Sequence, residues 1–252
     1  MRTKLVAANW KMNGSFAFNR EWLSAFVSAG VSAEVAVCAP HVYLQQVAEA
    51  LRGTRASAGA QNLSAEAPGA FTGEVAAEML IDCGVHWVIV GHSERRSRCG
   101  ENSGMVAAKA ARAVAHGLKP IICVGETLHE REQGRTLAVI TAQLAPVLDA
   151  CAANELVTCA IAYEPVWAIG TGQTATPGQA QEVHAAIRSL LSRQDPGAAS
   201  QTRIVYGGSV KPSNAFELFA QPDIDGGLIG AASLSVSDFV SICGSADRAA
   251  QR

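Results

Sequence analysis

Eight short apolar runs alternate with longer amphipathic stretches along the 252-residue chain, and this repeat constrains the fold more than any other feature. Most of the runs lack polar alternation, which is typical of parallel strands covered on both faces. The apolar runs comprise residues 5–9, 35–39, 57–61, 87–91, 120–124, 159–163, 204–206 and 227–229. The helical stretches comprise residues 16–29, 41–51, 76–83, 103–116, 136–153, 177–193, 213–220 and 235–242. Eight strand–helix pairs in this length predict a closed (β/α)8 barrel, one α/β domain over residues 1–252.

A doubly wound open sheet is the alternative architecture. It is disfavoured because no G-x-G-x-x-G follows the first run and no G-x-x-x-x-G-K-[ST] occurs in the chain. Local signals support two of the helix boundaries. Thr176, Pro177 and Gln179 predict a capped helix start, and Gly117 stands where a helix C-terminal cap would lie.

Composition excludes several classes of protein. Hydrophobic residues make up 49% of the chain and charged residues 17%, which indicates a folded globular protein. The formal net charge of −2 argues against nucleic acid and membrane surfaces as partners. No run approaches a membrane span, and no apolar leader with a cleavage site is expected. Seven scattered cysteines predict a reducing cytoplasm, with Cys38, Cys123 and Cys159 buried inside strands.

Polar residues follow several of the predicted strands directly. In (β/α)8 barrels the chemistry lies where strands end and βα loops begin. Taken singly, each such residue has an ordinary explanation, such as a solvated surface lysine or a structural histidine. Gathered on one face of a barrel, they predict an active site. The side chains are Asn9 at the end of the first run, Lys11 after it, His92 and Glu94 after the fourth, Glu164 after the sixth and Ser209 after the seventh, and the backbone of Gly230 and Ala231 follows the eighth.

The segment after the sixth run carries the strongest local signal. Glu164 ends that run, and Pro165 prevents the strand from continuing. The loop that follows contains Val166, Trp167 and Ile169, and apolar side chains of this kind require burial. A carboxylate beside an apolar loop that can close predicts a base that works in a water-excluded site.

Glycine-rich turns predict a site for a phosphate group. The turns at residues 207–209 and 230–231 precede helices and allow backbone N–H groups to approach an anion closely. Gly170 offers a further donor from the apolar loop. There is no His-x-His pair and no carboxylate cluster at the strand ends, so neither a metal nor another cofactor is predicted.

Five sequence blocks together resemble the triosephosphate isomerase family, and the resemblance runs the length of the chain. The blocks are NWKMNG at 9–14, GAFTGE at 69–74, GHSERR at 91–96, AYEPVWAIGTG at 162–172 and YGGSV at 206–210. The resemblance implies a TIM barrel that interconverts dihydroxyacetone phosphate and D-glyceraldehyde 3-phosphate through an enediolate, in glycolysis and gluconeogenesis. Two alternatives stay open: another sugar-phosphate isomerase or lyase on the same barrel, and a catalytically silent barrel that acts as a binding protein.

The resemblance also implies roles for individual residues. Glu164 would move the proton between adjacent carbons, while His92, kept neutral by its place at a helix N-terminus, would polarise the carbonyl and relay protons. Lys11 and Asn9 would stabilise the enediolate and hold the substrate, with Glu94 supporting Lys11. The residues implied in phosphate binding are Gly170, Ser209, Gly230 and Ala231.

Three further expectations concern association and departures from the family pattern. The resemblance implies a homodimer, in which Phe71 is buried at the interface and Thr72 reaches the Asn9–Lys11 region of the second subunit. Ala231 replaces a glycine usual in the family, and a positive φ there would cost about 1 kcal/mol. Cys99 takes a place where bulkier residues are common, and we expect it to be buried beneath the fourth βα loop.

Overall fold

The computed structural model describes residues 2–169 and 174–251. Eight parallel strands pair in chain order, and β8 pairs with β1 to close the barrel. The strands are β1 (Leu5–Asn9), β2 (Glu34–Ala39), β3 (Ala56–Ala60), β4 (Val85–Val90), β5 (Lys119–Val124), β6 (Ala160–Tyr163), β7 (Arg203–Tyr206) and β8 (Gly226–Ile229). The predicted (β/α)8 barrel is confirmed, and the predicted strand ends are shifted by no more than two residues.

Helices follow the strands and surround the barrel. They are α1 (Phe16–Ser28), α2 (Leu44–Leu51), α3 (Ala77–Asp82), α4 (Ser93–Arg98), α5 (Ser103–Ala115), α6 (Leu128–Glu132), α7 (Thr136–Ala150), α8 (Ala153–Leu156), α9 (Pro177–Gln194), α10 (Pro196–Gln201), α11 (Ala215–Phe219) and α12 (Val236–Ala249). Short 3₁₀ helices span His41–Tyr43, Val166–Ala168 and Ala231–Leu234. Three short helices, α6, α8 and α10, were not predicted, because four to six residues give too few turns for a periodic signal.

Both predicted helix caps are confirmed. At the start of α9 the Thr176 hydroxyl accepts from the Gln179 N–H at 3.2 Å, and the Gln179 side chain accepts from the Thr176 N–H at 3.0 Å. Pro177 occupies the first helical position, where its missing N–H costs nothing. After α5, Gly117 adopts a φ of 77° and donates to the Val114 carbonyl. The sequence therefore set these boundaries through local hydrogen bonding.

Alternate strand residues point into the barrel and fill its interior. Extending the same alternation to the strand ends places Asn9 and Glu164 at the carboxyl end, and Glu34 and Arg203 at the amino end. The inward rows are therefore apolar in the middle and polar at both ends. The buried interior residues are Leu5, Ala7, Ala36, Cys38, Trp87, Ile89, Ile121, Cys123, Ala160, Ala162, Val205 and Leu228.

The cysteines follow the prediction with one exception. Cys38, Cys123 and Cys159 are buried, as expected, although Cys159 lies just before β6 and not inside it, and all seven thiols are free. The expected burial of Cys99 is wrong: its side chain is exposed, because it lies at the C-terminal cap of α4, where the chain turns at Gly100 with a φ of 69°. Within the described residues, no helix is long and apolar enough to cross a membrane.

Candidate active site

A cavity of about 300 Å³ opens at the carboxyl end of the barrel. It gathers side chains and turns that follow β1, β4, β6, β7 and β8, as predicted from the strand junctions. Glu94 does not line the cavity but contacts a residue that does. Gly170 lies outside the described residues. The predicted site residues that line the cavity are Asn9, Lys11, His92, Glu164, Ser209, Gly230 and Ala231.

Glu164 is the next inward residue after Ala162 of β6, and its side chain is only 2% exposed. Carboxylate atom Oε1 lies 3.0 Å from His92 Nε2. The second oxygen, Oε2, accepts from the backbone N–H of Ser93 at 2.9 Å. The carboxylate is therefore desolvated and held by two donors at the start of α4.

His92 is the N-terminal cap of α4, and its ring orientation is set on both sides. Its Nδ1 accepts from the Glu94 N–H at 3.2 Å, so the hydrogen-bond geometry assigns the ring proton to Nε2, facing Glu164. Burial lowers the pKa of His92, but the charge of Glu164 and the hydrogen bond to it outweigh burial and raise the pKa above its ordinary value. The neutral ring implied by the family resemblance stays a prediction.

Lys11 combines a strained backbone with a tethered ammonium. Its φ of 52° makes it the sole non-glycine residue at positive φ in the part of the chain that the structure describes. A left-handed conformation costs such a residue about 1–2 kcal/mol. Its N–H donates to Asn9 Oδ1 at 3.0 Å, and its ammonium donates to Glu94 Oε1 at 2.5 Å. Burial raises the pKa of Glu94, but the hydrogen bond and the charge of Lys11 lower it by a larger amount. The pKa of Glu94 is therefore below its ordinary value.

The two glycines after β7 serve close packing more than anion binding. The Gly207 N–H donates to the Tyr163 carbonyl at 2.7 Å, so within the predicted phosphate-binding turn at residues 207–209 this N–H is already used inside the barrel. A Cβ at Gly207 would lie 2.8 Å from Glu164 Cγ, and one at Gly208 would lie 2.2 Å from the Tyr206 hydroxyl. Neither position has room for a side chain. Glycine at 207 thus lets Glu164 lie against the seventh strand.

The turn after β8 accommodates alanine without strain. Ala231 begins a 3₁₀ helix, and its φ is not positive, so the cost considered for this departure does not arise. The Gly230 carbonyl accepts from both the N–H of Ser233 at 2.8 Å and its hydroxyl at 2.7 Å. These bonds fix the turn at the edge of the cavity.

Comparison with known proteins agrees with this geometry. A family model described as triosephosphate isomerase matches residues 4–246. The chain belongs to the triosephosphate isomerase family. A triosephosphate isomerase from Nitrosococcus oceani is 56% identical over 246 residues, which cover 96% of this chain and 98% of that protein. One from Thiobacillus denitrificans is 57% identical over 243 residues, covering 96% and 98%, and one from Dechloromonas aromatica is 54% identical over 250 residues, covering 98% and 100%.

A buried carboxylate outside the five blocks that carried the triosephosphate isomerase resemblance also bears on the site. Glu126 is fully buried after β5, and its Oε1 accepts from the Tyr163 hydroxyl at 3.1 Å and from Trp167 Nε1 at 3.0 Å. The Arg131 guanidinium donates to the same oxygen and lies 4.8 Å from the Trp167 ring. Glu126 therefore anchors the first part of the apolar loop to the barrel. The rule that functional residues follow the strand ends (the strand-junction rule), applied to the fifth strand, would have found Glu126.

A second lysine was also missed. Lys211 lines the cavity with an exposed side chain. Across residues 2–169 and 174–251, no carboxylate lies within ion-pair distance of it. It adds positive charge near Ser209, and its place two residues beyond the glycine-rich turn was the available signal.

Proposed function

We propose that this member of the triosephosphate isomerase family interconverts dihydroxyacetone phosphate and D-glyceraldehyde 3-phosphate by proton transfer through an enediolate. The observation that carries the proposal is the contact between Glu164 and His92, a buried carboxylate and an imidazole 3.0 Å apart beside the Lys11 ammonium. Proton abstraction next to a carbonyl requires a base, a donor to the oxygen and a charge that stabilises the oxyanion. A cavity of about 300 Å³ also favours a triose phosphate over larger sugar phosphates.

Glu164 acts as the base in this proposal. It takes the proton from the carbon beside the carbonyl and returns it to the neighbouring carbon, so the enediolate forms and is consumed at one carboxylate. To reach the substrate, the carboxylate exchanges its bonds to His92 and to the Ser93 N–H for contact with carbon. Because the side chain is already buried, no large water shell has to be removed first.

His92 donates from Nε2 to the carbonyl oxygen and relays a proton between the two substrate oxygens. The Glu94 N–H keeps Nδ1 an acceptor, which supports an uncharged ring. When Glu164 turns toward the substrate, His92 loses the contact that raises its pKa. Substrate binding therefore favours the neutral imidazole.

Lys11 and Asn9 stabilise the negative charge that develops on the enediolate. Both line the cavity from the end of β1, and the Asn9 carboxamide oxygen holds the Lys11 N–H. Glu94 restrains the ammonium at the edge of the cavity through a 2.5 Å bond. The charge is therefore in place before the reaction begins, which is the condition for efficient electrostatic stabilisation.

The phosphate group is held in the same cavity in this proposal, by the turns that follow β7 and β8, the second of which lies beside Lys11. Backbone N–H groups of Ser209, Gly230 and Ala231 supply the donors, and Lys211 adds charge. Gly170 supplies a further donor in this proposal, from the part of the loop outside the described residues. The phosphate takes no part in the bond changes, so its binding energy is free to drive closure of the loop.

Closure of the apolar loop completes the site. Ile169 already lines the cavity, and Trp167 is hydrogen-bonded to Glu126 at the base of the loop. A closed loop excludes water and protects the enediolate from losing its phosphate group. Proton transfer therefore proceeds without this side reaction.

The protein acts as a cytoplasmic homodimer in the same proposal. Three apolar side chains in the loops after β1, β2 and β3 are exposed: Met12 by 96%, Val42 by 75% and Phe71 by 47%. These loops neighbour one another on the barrel, and such a patch favours a protein interface. Exposed Thr72 would then contact the region around Lys11 in the second subunit.

A coupled assay with D-glyceraldehyde 3-phosphate tests the reaction. We expect turnover by the wild type and a loss of about 10²–10⁴-fold in kcat for Glu164→Gln, which keeps the shape but not the base. Glu132→Gln removes an exposed carboxylate from α6 and is expected to match the wild type. Absence of turnover by the pure wild-type protein, or equal turnover by E164Q, would sink the proposal.

Dilution tests the homodimer. Activity should disappear before secondary structure as the protein is diluted, and Phe71→Glu should shift this loss to higher concentration. Leu128→Glu is the matched control, because Leu128 is also 47% exposed but follows β5. A fully active F71E monomer in analytical ultracentrifugation would contradict the proposed interface.

A further inference from the structure

We propose that Gln61 is a positioning residue for Lys11, whose strained backbone it fixes so that the ammonium stays at the cavity. The side-chain amide of Gln61 donates to the Lys11 carbonyl at 2.9 Å. The inference rests on the role proposed above for Lys11. It adds a residue from the third strand junction to a site otherwise built from residues that follow β1, β4, β6, β7 and β8.

The two hydrogen bonds to the backbone of Lys11 define its conformation. The Lys11 N–H belongs to the peptide plane before its Cα and donates to Asn9 Oδ1 at 3.0 Å. The Lys11 carbonyl belongs to the plane after its Cα and accepts from Gln61 Nε2. The dihedrals φ and ψ describe the rotation of these two planes, so anchoring both planes holds the residue at a φ of 52°.

Gln61 is itself held in place by a rigid strand. It follows β3 directly, and its Nε2 also donates to the Cys38 carbonyl in β2 at 3.0 Å. That carbonyl accepts from the Trp10 N–H as well, at 3.1 Å. Both amide hydrogens of Gln61 are therefore used on backbone carbonyls. A carboxylate, which only accepts when ionised, cannot replace them.

The residue type at position 11 indicates that the strain serves the side chain. At the other described positions with positive φ the chain uses glycine, which has no Cβ to clash. A lysine is retained here, and its ammonium contacts Glu94 and lines the cavity. A strained backbone conformation persists only where several surrounding contacts hold it, and the hydrogen bond from Gln61 is one of those contacts for Lys11. Without the side-chain amide of Gln61, Lys11 relaxes toward negative φ and its ammonium moves away from the cavity.

Gln61→Met tests the inference, because it keeps the length of the side chain and removes both donations. We expect kcat/KM for D-glyceraldehyde 3-phosphate to fall about 10–100-fold, mainly through kcat, as for a small misplacement of a catalytic group. A crystal structure of Q61M should show Lys11 at negative φ. Gln181→Met is the matched control: Gln181 is half-buried and makes two side-chain bonds to Asp223, at 2.6 and 3.0 Å, away from the cavity. Q181M should lose stability but not activity.

Further variants separate the possible outcomes. Gln61→Glu should be impaired like Q61M, since its carboxylate faces two carbonyls. If Q61M keeps kcat/KM within twofold of the wild type, or if neither variant folds, Gln61 is only structural and the inference is wrong. Lys11→Met is measured in parallel. An active K11M would overturn the proposed role of Lys11, whereas an inactive K11M beside a fully active Q61M would overturn the role of Gln61 alone.

Discussion

The same inward-pointing strand residues continue to both ends of the barrel, but the polar groups at the two ends have different surroundings. At the carboxyl end, Lys11 is strained, and the buried carboxylate of Glu164 faces the His92 ring across a cavity. At the amino end, the Trp87 ring lies 5.0 Å from the Arg203 guanidinium and 5.3 Å from the Lys119 ammonium. Arg203 also pairs with Glu34 at 2.6 Å. The pairs at the carboxyl end border a cavity, whereas the charged groups at the amino end lie against one another and against the Trp87 ring.

This difference shows which end of the barrel contains features that lower the stability of the fold. At the amino end Arg203 pairs with Glu34, and Arg203 and Lys119 both cover an aromatic ring, which stabilises the barrel. The carboxyl end holds Lys11 in a left-handed backbone conformation and Glu164 as a desolvated carboxylate. Both features lower the stability of the fold, and they serve the binding and reaction of a ligand. We therefore expect changes at the carboxyl end to lower activity with little effect on stability, and changes at the amino end to do the reverse.

The largest expected effect is at the carboxyl end. His92→Gln removes the group that donates to the substrate oxygen, so kcat should fall about 10²–10⁴-fold. The glutamine amide can still donate toward Glu164, so the melting temperature should stay within a few degrees of the wild-type value. Steady-state kinetics and calorimetry on the same preparation measure both. A variant that unfolds readily but retains activity would break the comparison.

The second prediction concerns the amino end. Trp87→Ala empties the barrel interior around a side chain that is 1% exposed, and this should lower the free energy of unfolding by about 3–5 kcal/mol. At 15 °C, where the variant is expected to remain folded, kcat/KM should be within threefold of the wild type. Denaturant titration and the coupled assay test this pair of results. A large loss of activity in fully folded W87A would contradict the division between the ends.

The third prediction uses pH to contrast two buried histidines. Burial lowers the pKa of His184 to about 4, because its charged form is poorly solvated between the barrel and α9. Its ordinary pKa is about 6.5, so the unfolded chain takes up this proton first. Stability from His184 is thus present above pH 6.5 and is lost as the pH falls toward 4, by about 3 kcal/mol in total. For His92, whose pKa is raised, stability is present below pH 6.5 and is lost as the pH rises through the folded-state pKa.

Denaturant titrations between pH 7 and 4.5 measure this contrast. His184→Asn keeps a donor for the Asp223 carbonyl, to which His184 Nδ1 lies at 3.2 Å, and should lose stability less steeply on acidification than the wild type. The remaining slope comes from carboxylates such as Glu94 and Asp223, whose pKa is lowered against the effect of burial by hydrogen bonds, to Lys11 and to Gln181 and Arg188, and by the charges of those cations. An unchanged slope in H184N would show that His184 does not carry the effect.

The smallest expected effect is again at the amino end. Arg203→Met removes the ion pair with Glu34 and the contact with the Trp87 ring, and should lower the free energy of unfolding by about 1 kcal/mol. Arg20→Met, on the exposed face of α1, serves as the control and should change it by less than about 0.5 kcal/mol. Equal effects of the two substitutions would mean that the amino-end pairing adds nothing beyond a surface charge.

The sequence predicted the barrel and most of the cavity because both follow simple rules. The length of the apolar runs and their lack of polar alternation located the strands, and the strand-junction rule led to Asn9, His92 and Glu164. Gln61 was missed because it was counted as the last residue of the third strand, so its amide was not considered as a donor. Glu126 was missed because the residues after the fifth strand were not considered, and its hydrogen bond with Trp167, 41 residues away in sequence, could not be predicted from either segment alone. Contacts of this kind arise only when the barrel closes.

Exchange of the substrate hydrogen with solvent tests the central claim most directly. The proton on the Glu164 carboxyl exchanges with solvent in a fraction of turnovers, so the wild-type protein should convert unlabelled D-glyceraldehyde 3-phosphate in D₂O to dihydroxyacetone phosphate of which a part carries deuterium. NMR should find this label only on the carbon that receives the proton. Glu164→Gln, shown to be folded by circular dichroism, should introduce no deuterium above the rate in buffer. Exchange by E164Q at the wild-type rate would show that Glu164 is not the base and that the account of the carboxyl end is wrong.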